Sequence, residues 1–224
     1  MEVNRRTQAD RSAATRGALV AAARPLFAEH GFASVGTETI VQAAGVTRGA
    51  MYHQFADKTE LFAEVFEAVE QDVQARLMHS VDSSGITDPI KAMEVGADAW
   101  LEVCADPEVQ QIVLLDAPVV LGWERWRAVG MRYGMGLVES LLAYAIDVGR
   151  IPKQAVAPLA HVLIGALDEA VLYIARAPDP PAAQEEMRLV IRQLVRSLAV
   201  DPPAAPKKRE SSTKRARPRG GRNA

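Results

Sequence analysis

The chain has 224 residues, of which 49% are hydrophobic and 24% are charged, the balance of a globular protein with ample material for a core. No stretch reaches the roughly 20 uncharged apolar residues that cross a bilayer, and the basic, polar N-terminus lacks the apolar centre of a secretory signal. A single cysteine, Cys104, excludes an intramolecular disulfide framework and a multi-cysteine zinc site. We therefore expect a cytoplasmic protein with no metal, no cofactor and no membrane partner.

The net charge of −2 is distributed unevenly along the chain. Residues 207–224 hold eight basic residues and one acidic residue, whereas the first 200 residues hold 18 basic and 26 acidic groups. Residues 201–224 contain almost no apolar side chains, so we expect them to form a disordered basic tail. Because the body of the chain is acidic, any contact with nucleic acid must use a local basic patch.

Apolar residues recur with a helical period almost everywhere, and the alternation and turn pairs typical of strands are rare. This pattern predicts an all-α fold. The predicted helices cover residues 12–30, 37–44, 48–54, 57–80, 88–105, 123–148, 155–176 and 183–199. Gly31 and Gly45 follow the first two helices and suit the left-handed conformation that ends a helix. Thr47, Asp57 and Asp88 are the predicted N-caps of later helices.

Residues 37–54 read TETIVQAAGVTRGAMYHQ and predict a helix-turn-helix. Ala43 and Ala44 are small enough to let two short helices approach closely, and Gly45 permits the sharp turn between them. The second helix presents polar and basic groups at its start, where a recognition helix enters the major groove of DNA.

The stretch from about Thr15 to Leu61 resembles the N-terminal domain of the TetR family of transcriptional regulators. The matching elements are Ala28, Gly31-Phe32, Ile40, the run from Ala44 to Gly49, Met51-Tyr52-His53, Phe55, Lys58 and Leu61. The resemblance implies an N-terminal three-helix DNA-binding domain (1–60), a C-terminal helical ligand-binding and dimerisation domain (61–200) and the tail (201–224). One departure is Gly36, which stands where the family usually has a serine or threonine N-cap.

The resemblance also implies which residues contact DNA: Thr37, Thr47, Arg48, Gly49, Met51, Tyr52, His53 and Lys58. Arg48 is the best candidate for reading a base edge, because its guanidinium fork matches O6 and N7 of guanine. Tyr52 and His53 resemble the family's phosphate-contacting pair, and Lys58 lies at a helix N-terminus, where charge and dipole favour a phosphate. Structural roles compete with these functions, since Tyr52 could belong partly to the core and Arg48 could be a solvated charge.

One such unit contacts few base pairs, so the resemblance implies a homodimer that reads a palindromic operator in double-stranded DNA. The last two predicted helices are apolar on most faces, which suits an interface between two copies. The candidate interface residues are Leu163, Leu167, Val171, Ile174, Ile191, Leu194, Val195 and Leu198. The alternative is that both helices belong to the core of one chain.

The resemblance further implies a pocket for an unidentified small-molecule effector in the C-terminal domain. The candidates are large or adaptable side chains, with one cysteine and one histidine: Met93, Trp100, Cys104, Trp123, Trp126, Tyr144 and His161. Each of them could equally be an ordinary core residue. Glu94, Asp98 and Asp168 could favour a cationic or polar ligand, although solvated helix faces explain these carboxylates as well.

The function that follows is a DNA-binding transcriptional regulator, a repressor that a small molecule releases from its operator. Two other classes stay open. An architectural protein could use the basic tail to hold duplex DNA of any sequence. A helical ligand-binding protein or an enzyme is less favoured, because the four histidines form no HExxH motif and the chain has neither a Walker loop nor a GxSxG motif.

Overall fold

The computed structural model describes residues 8–200, and every regular element in that range is a helix, which confirms the all-α prediction. The elements are α1 (Gln8–Ser34), α2 (Thr37–Ala43), α3 (Arg48–Gln54), α4 (Lys58–Ser83), α5 (Pro89–Val103), α6 (Pro107–Val109), a π-helix (Gln110–Asp116), α7 (Ala117–Val120), α8 (Trp123–Asp147), α9 (Val156–Ala175) and α10 (Pro180–Ser197). The predicted basic tail, residues 201–224, lies outside the described residues.

The predicted caps are present. Thr47, Asp57 and Asp88 each accept a hydrogen bond from a backbone N–H two or three residues further along the chain. Gly31 has the expected positive φ of 73°, but its ψ is 159° and α1 resumes after it. The helical conformation is therefore interrupted at Gly31, where the sequence predicted the first helix to end, and the residues from Phe32 to Ser34 follow this kink as a short extension of α1.

Aromatic side chains hold α1 against α4. The rings of Phe27, Phe32 and Phe62 lie 5.2 to 5.8 Å apart between centroids, in tilted and edge-on arrangements. Phe27 and Phe62 are completely buried, and each such side chain contributes about 3 kcal/mol of burial free energy. The N-terminal helices are therefore fixed to α4, the helix that continues into the C-terminal bundle.

The C-terminal bundle consists of α4, α5, α8, α9 and α10, with α9 packed against α5, α8 and α10. By length and composition alone α9 could also span a membrane. It nevertheless carries Asp168, which forms an ion pair with Arg127 of α8. Two further carboxylates, Glu94 and Asp98 of α5, pair with arginines of α10, so these two residues bind the bundle together. The domain boundary at residue 60 stays a prediction, since α4 belongs to both halves.

Candidate nucleic-acid interface and internal cavity

The turn between α2 and α3 is a Schellman motif. The Val46 N–H donates to the Val41 carbonyl at 3.0 Å, and the Gly45 N–H donates to the Gln42 carbonyl at 3.2 Å. Gly45 has a φ of 65°, a conformation in which any other residue is strained. The predicted role of Gly45 is confirmed, and the turn fixes the angle between the two helices.

The start of α3 faces outward. Thr47, Arg48, Gly49, Tyr52 and His53 are all exposed. The guanidinium carbon of Arg48 lies 5.6 Å from the centroid of the Tyr52 ring, one helical turn away. The Tyr52 hydroxyl raises the pKa of the Arg48 guanidinium further above its ordinary value. Arg48 is therefore always positively charged, and its contact with the Tyr52 ring holds the guanidinium on the outer surface of α3.

Two of the residues predicted to contact DNA, Met51 and Lys58, make contacts inside the protein. Met51 is completely buried, because it lies on the face of α3 that packs into the core, so the prediction that it touches DNA was wrong. The Lys58 ammonium donates to the carbonyls of Phe32 and Val35 at 2.8 and 2.9 Å and lies 4.0 Å from the Phe32 ring centroid. Lys58 therefore closes the carboxyl end of α1, and its phosphate contact stays a prediction.

The N-terminus of α2 is less open than that of α3. Thr37, the first residue of α2, is half-buried. Gly36 is the N-cap, with φ −83° and ψ 152°, and it supplies no side-chain hydrogen bond. The substitution of glycine for a capping hydroxyl thus leaves the helix in place but removes one polar group from this end.

Arg16 of α1 positions the recognition helix, a role that the sequence analysis missed. Its Nη1 donates to the Gln54 carbonyl at the end of α3, and its Nε donates to Glu64 of α4, both at 2.8 Å. The guanidinium also lies 4.2 Å from the centroid of the Phe55 ring. The Arg16 side chain therefore joins three helices. Its partners lie about 40 residues away in the chain, so the sequence around residue 16 could not predict these contacts.

A cavity of about 120 Å³ lies inside the C-terminal bundle. Its wall comes from α4, α5, the π-helix, α8, α9 and α10 and is mostly apolar. Met93, Trp100 and Trp126, three of the predicted effector residues, line it. The two indoles are held in place because their Nε1 atoms donate to backbone carbonyls, at 3.2 Å for Trp100 and 2.9 Å for Trp126. That these residues bind an effector stays a prediction.

Polar side chains gather in part of the cavity wall: Glu70, Gln74, Arg127, Tyr133 and Asp168. Arg127 donates to the Asp168 carboxylate, yet burial still raises the pKa of Asp168 above its ordinary value. Burial also raises the pKa of Glu70 to about 7, and the Asp168 charge adds to the effect. Glu70 interrupts the apolar stripe of α4, and this position in the sequence is a signal from which its burial could have been predicted.

The two halves of the chain match two family models. Residues 19–65 match the model for bacterial regulatory proteins of the tetR family, and residues 90–198 match a tetracyclin repressor-like C-terminal domain. A solved TetR-family transcriptional regulator from Pectobacterium atrosepticum is 32% identical, with a TM-score of 0.76, over 88% of this chain and 100% of that one. The chain belongs to the TetR family. It is a DNA-binding transcriptional regulator, as the resemblance of residues 15–61 implied.

Other proteins match this chain over shorter stretches or at lower identity. The transposon Tn10 TetC protein of Escherichia coli is 25% identical over 148 residues, which is 66% of this chain and 74% of that protein. The regulator CymR of Pseudomonas putida is 41% identical over 76 residues, or 34% of this chain and 37% of CymR. RolR, solved in complex with resorcinol, shares the fold with a TM-score of 0.67 at 19% identity, over 85% of this chain and 95% of RolR.

Four of the effector residues predicted from the TetR resemblance lie outside the cavity, so those predictions were wrong. Cys104 is buried elsewhere in the core, and burial raises its pKa well above the ordinary value. Trp123 is 63% exposed and packs against Trp126 with the rings tilted by 47° and their centroids 4.8 Å apart. Tyr144 and His161 are also exposed. Residue type had suggested a binding role, but the face of each helix is decided by tertiary packing.

Most of the predicted dimer residues face the interior of this TetR-family chain, which corrects their assignment. Those that line the cavity are Leu163, Leu167, Val171, Ile191, Leu194 and Val195. Ile174 is buried and Leu198 packs against a core cluster. The apolar side chains of α9 and α10 that are more than half exposed are Val162, Tyr173, Leu189 and Val190. Leu194 lines the cavity but is also 37% exposed, so its place in a dimer interface stays a prediction. Because both helices are apolar around most of their circumference, the sequence pattern could not separate the inner face from the outer one.

The contacts between the two halves of this TetR-family protein centre on α1, α4 and the π-helix. Arg24 of α1 donates two hydrogen bonds of 2.8 Å to Glu108 and one of 2.5 Å to Asp72 of α4. At the kink in α1, the Phe32 N–H donates to the Asp116 carboxylate at 2.7 Å. π-Helical turns are rare and recur at functional positions. This π-helix ends at Asp116, whose carboxylate accepts the hydrogen bond at the kink.

Proposed function

We propose that this chain is a homodimeric repressor that binds a palindromic operator and leaves it when a small molecule enters the cavity. The observation that carries the proposal is the shared helix: α4 begins beside the recognition helix and supplies Glu70, Val73, Gln74 and Leu77 to the cavity wall. A ligand that favours one arrangement of the wall therefore acts on the element that holds α3.

The outward face of α3 supports direct reading of DNA. Arg48 presents a bidentate donor suited to O6 and N7 of guanine, and Thr47 and His53 lie beside it as candidate phosphate contacts. Arg16 and the buried Met51 fix the rear of α3 to the domain. A recognition helix anchored in this way keeps its side chains in register with base edges, which sequence-specific binding requires.

The outer surface of the last two helices supports a dimer. Val162, Tyr173, Leu189 and Val190 are between 53% and 65% exposed and together form what we call the α9–α10 face. An apolar face of this kind is covered most economically by the same face of a second copy around a two-fold axis. Two recognition helices related by that axis would read a palindrome, and several relatives are themselves named as repressors.

Release by an effector follows from the contacts at the junction. Ligand binding changes DNA affinity only if the ligand prefers one of two conformations. α4 pairs with α1 through Asp72 and with α8 through the Glu60–Arg125 pair at 2.7 and 3.0 Å. A shift of α8 on ligand entry is therefore passed to the start of α4, and from there to the spacing of the two recognition helices.

Selection of bound duplexes from a random pool tests the DNA and dimer parts of this proposal together. We expect enrichment of a palindrome whose half-sites are separated by about one helical turn, roughly 34 Å, or a multiple of it. Leu189→Glu should abolish both the dimer, measured by light scattering, and the enrichment. Val119→Glu is the matched control, because Val119 of α7 is 84% exposed and lies outside the α9–α10 face. Enrichment of a single half-site by a monomeric wild type would contradict the proposal.

A further inference from the structure

We propose that the cavity binds a single-ring apolar cation whose ammonium group rests against the Glu70 carboxylate. This inference deepens the proposed function, because it names the chemical class of molecule that the effector cavity accepts. It rests on the position of Glu70, the charges around it, and the size of the cavity.

Glu70 is the buried acid of α4. Glu70 is 6% exposed and lines the cavity. Within residues 8–200, no donor forms a hydrogen bond with its carboxylate. Four other acids of α4 have an arginine partner: Glu60, Glu64, Glu67 and Asp72. An ionised carboxylate in so apolar a wall is costly, and a ligand that fills the cavity can supply a donor for it.

The charges in the wall favour a positive ligand. Arg127 is the one arginine or lysine among the lining residues, and its guanidinium is engaged by Asp168. Glu70 is thus left without a counter-ion, and its pKa of about 7 places it near half-ionisation at neutral pH. An ammonium group stabilises the ionised carboxylate. A neutral hydroxyl gains no such charge interaction, and an anion is repelled by both carboxylates.

The volume of the cavity limits a ligand to about one ring. Its volume is about 120 Å³, and an engineered apolar cavity of roughly 150 Å³ accepts benzene. Trp100 and Trp126 provide aromatic surface in the wall, which suits both a ring and a cation. Gly130 and Gly134 of α8 also line the cavity, and a methyl group added at either position would meet no neighbouring atom within 4 Å. They leave open space beside the polar part of the wall.

Calorimetric titration of the full chain at pH 8 tests the proposal with three small probes of similar shape: benzylamine, benzyl alcohol and benzoate. We expect the amine to bind about tenfold more tightly than the alcohol, and the acid to bind most weakly. Glu70→Gln should remove the preference for the amine while leaving the affinity for the alcohol unchanged. Glu70→Asp should keep the preference, because it keeps the charge. The control is Glu67→Gln, which removes a carboxylate one turn away that pairs with Arg132 at 3.4 Å and does not line the cavity.

Equal binding of amine and alcohol to the wild type, a preference for benzoate, or no heat with any probe would each overturn the inference. So would an intact amine preference in Glu70→Gln. Adding the same probes to the protein–duplex complex separates this inference from the proposed function. If the amine binds selectively but the complex persists, the cavity chemistry stands and release by an effector fails. If the alcohol binds as tightly as the amine and frees the DNA, the function stands and the cation fails.

Discussion

Gly31 offers the sharpest test of how the DNA-binding half joins the bundle. Its φ of 73° and ψ of 159° lie in a region that essentially only glycine occupies. The kink turns the last turn of α1 toward the π-helix, where the Phe32 N–H donates to Asp116 at 2.7 Å. Gly31→Ala should therefore destabilise the native state without removing any side chain that makes a contact.

The magnitude follows from two contributions. A residue other than glycine in this backbone conformation costs on the order of 1–3 kcal/mol. A Cβ at Gly31 would also lie 3.1 Å from Nε2 of Gln111, but that atom is the end of a flexible side chain and can move at small cost. We expect the free energy of unfolding to fall by about 2 kcal/mol, which corresponds to a Tm lower by about 4–8 °C for a chain of this size.

Urea unfolding followed by circular dichroism measures this change, with Gly17→Ala as the control. Gly17 lies in the same helix, has ordinary helical geometry and would place its new Cβ in open space, so that variant should be more stable than wild type by about 0.5–1 kcal/mol. If Gly31→Ala is as stable as Gly17→Ala, the kink carries no strain and this account of the junction is wrong.

Three further results are expected. Glu70 binds its proton more tightly in the folded chain (pKa about 7) than at its ordinary value of 4.5, so wild-type stability should fall as pH rises from about 4.5 to 7. Glu70→Gln should then exceed wild type by up to about 3 kcal/mol at pH 8 and by much less at pH 4.5, as urea unfolding would show; a constant difference would contradict this. Cys104 is buried and its pKa is raised, so Ellman's reagent should label it at the rate of unfolding and not before; rapid labelling of the native protein would show otherwise. Deleting residues 207–224, a segment of charge +7, should weaken binding to random duplex and flatten its salt dependence while sequence preference survives; loss of the preference would favour the architectural alternative.

The sequence was sufficient for the elements whose signals are local. Thr47, Asp57 and Asp88 cap helices because their side chains reach backbone groups a few residues away, and Gly45 ends α2 because its φ is positive. Such features depend on neighbours in the chain, so a single sequence exposes them. The outward positions of Arg48, Tyr52 and His53 were implied by the resemblance to the TetR family, which also implied a DNA contact for the buried Met51.

Features that depend on tertiary packing could not be predicted from the sequence alone. The apolar stripe of α9 continues around most of the helix, so Leu163 and Val171 were assigned to a dimer although they line the cavity. The π-helix has no compositional signature, and its role depends on a contact between Asp116 and a backbone N–H 84 residues away. Arg16 is an ordinary charged residue until the fold brings α1, α3 and α4 together.

The central claim is that α3 reads DNA sequence through Arg48, and one measurement tests it most directly. Fluorescence anisotropy gives the affinity of the full chain for the selected duplex and for the three alternatives at the contacted base pair. We predict that wild type prefers one base pair by about 1–3 kcal/mol. Arg48→Ala should bind all four duplexes alike, and Arg48→Lys should keep the charge but lose the preference. If Arg48→Ala is weaker on every duplex by the same factor and keeps the preference, Arg48 contacts phosphate and α3 reads the sequence by other means.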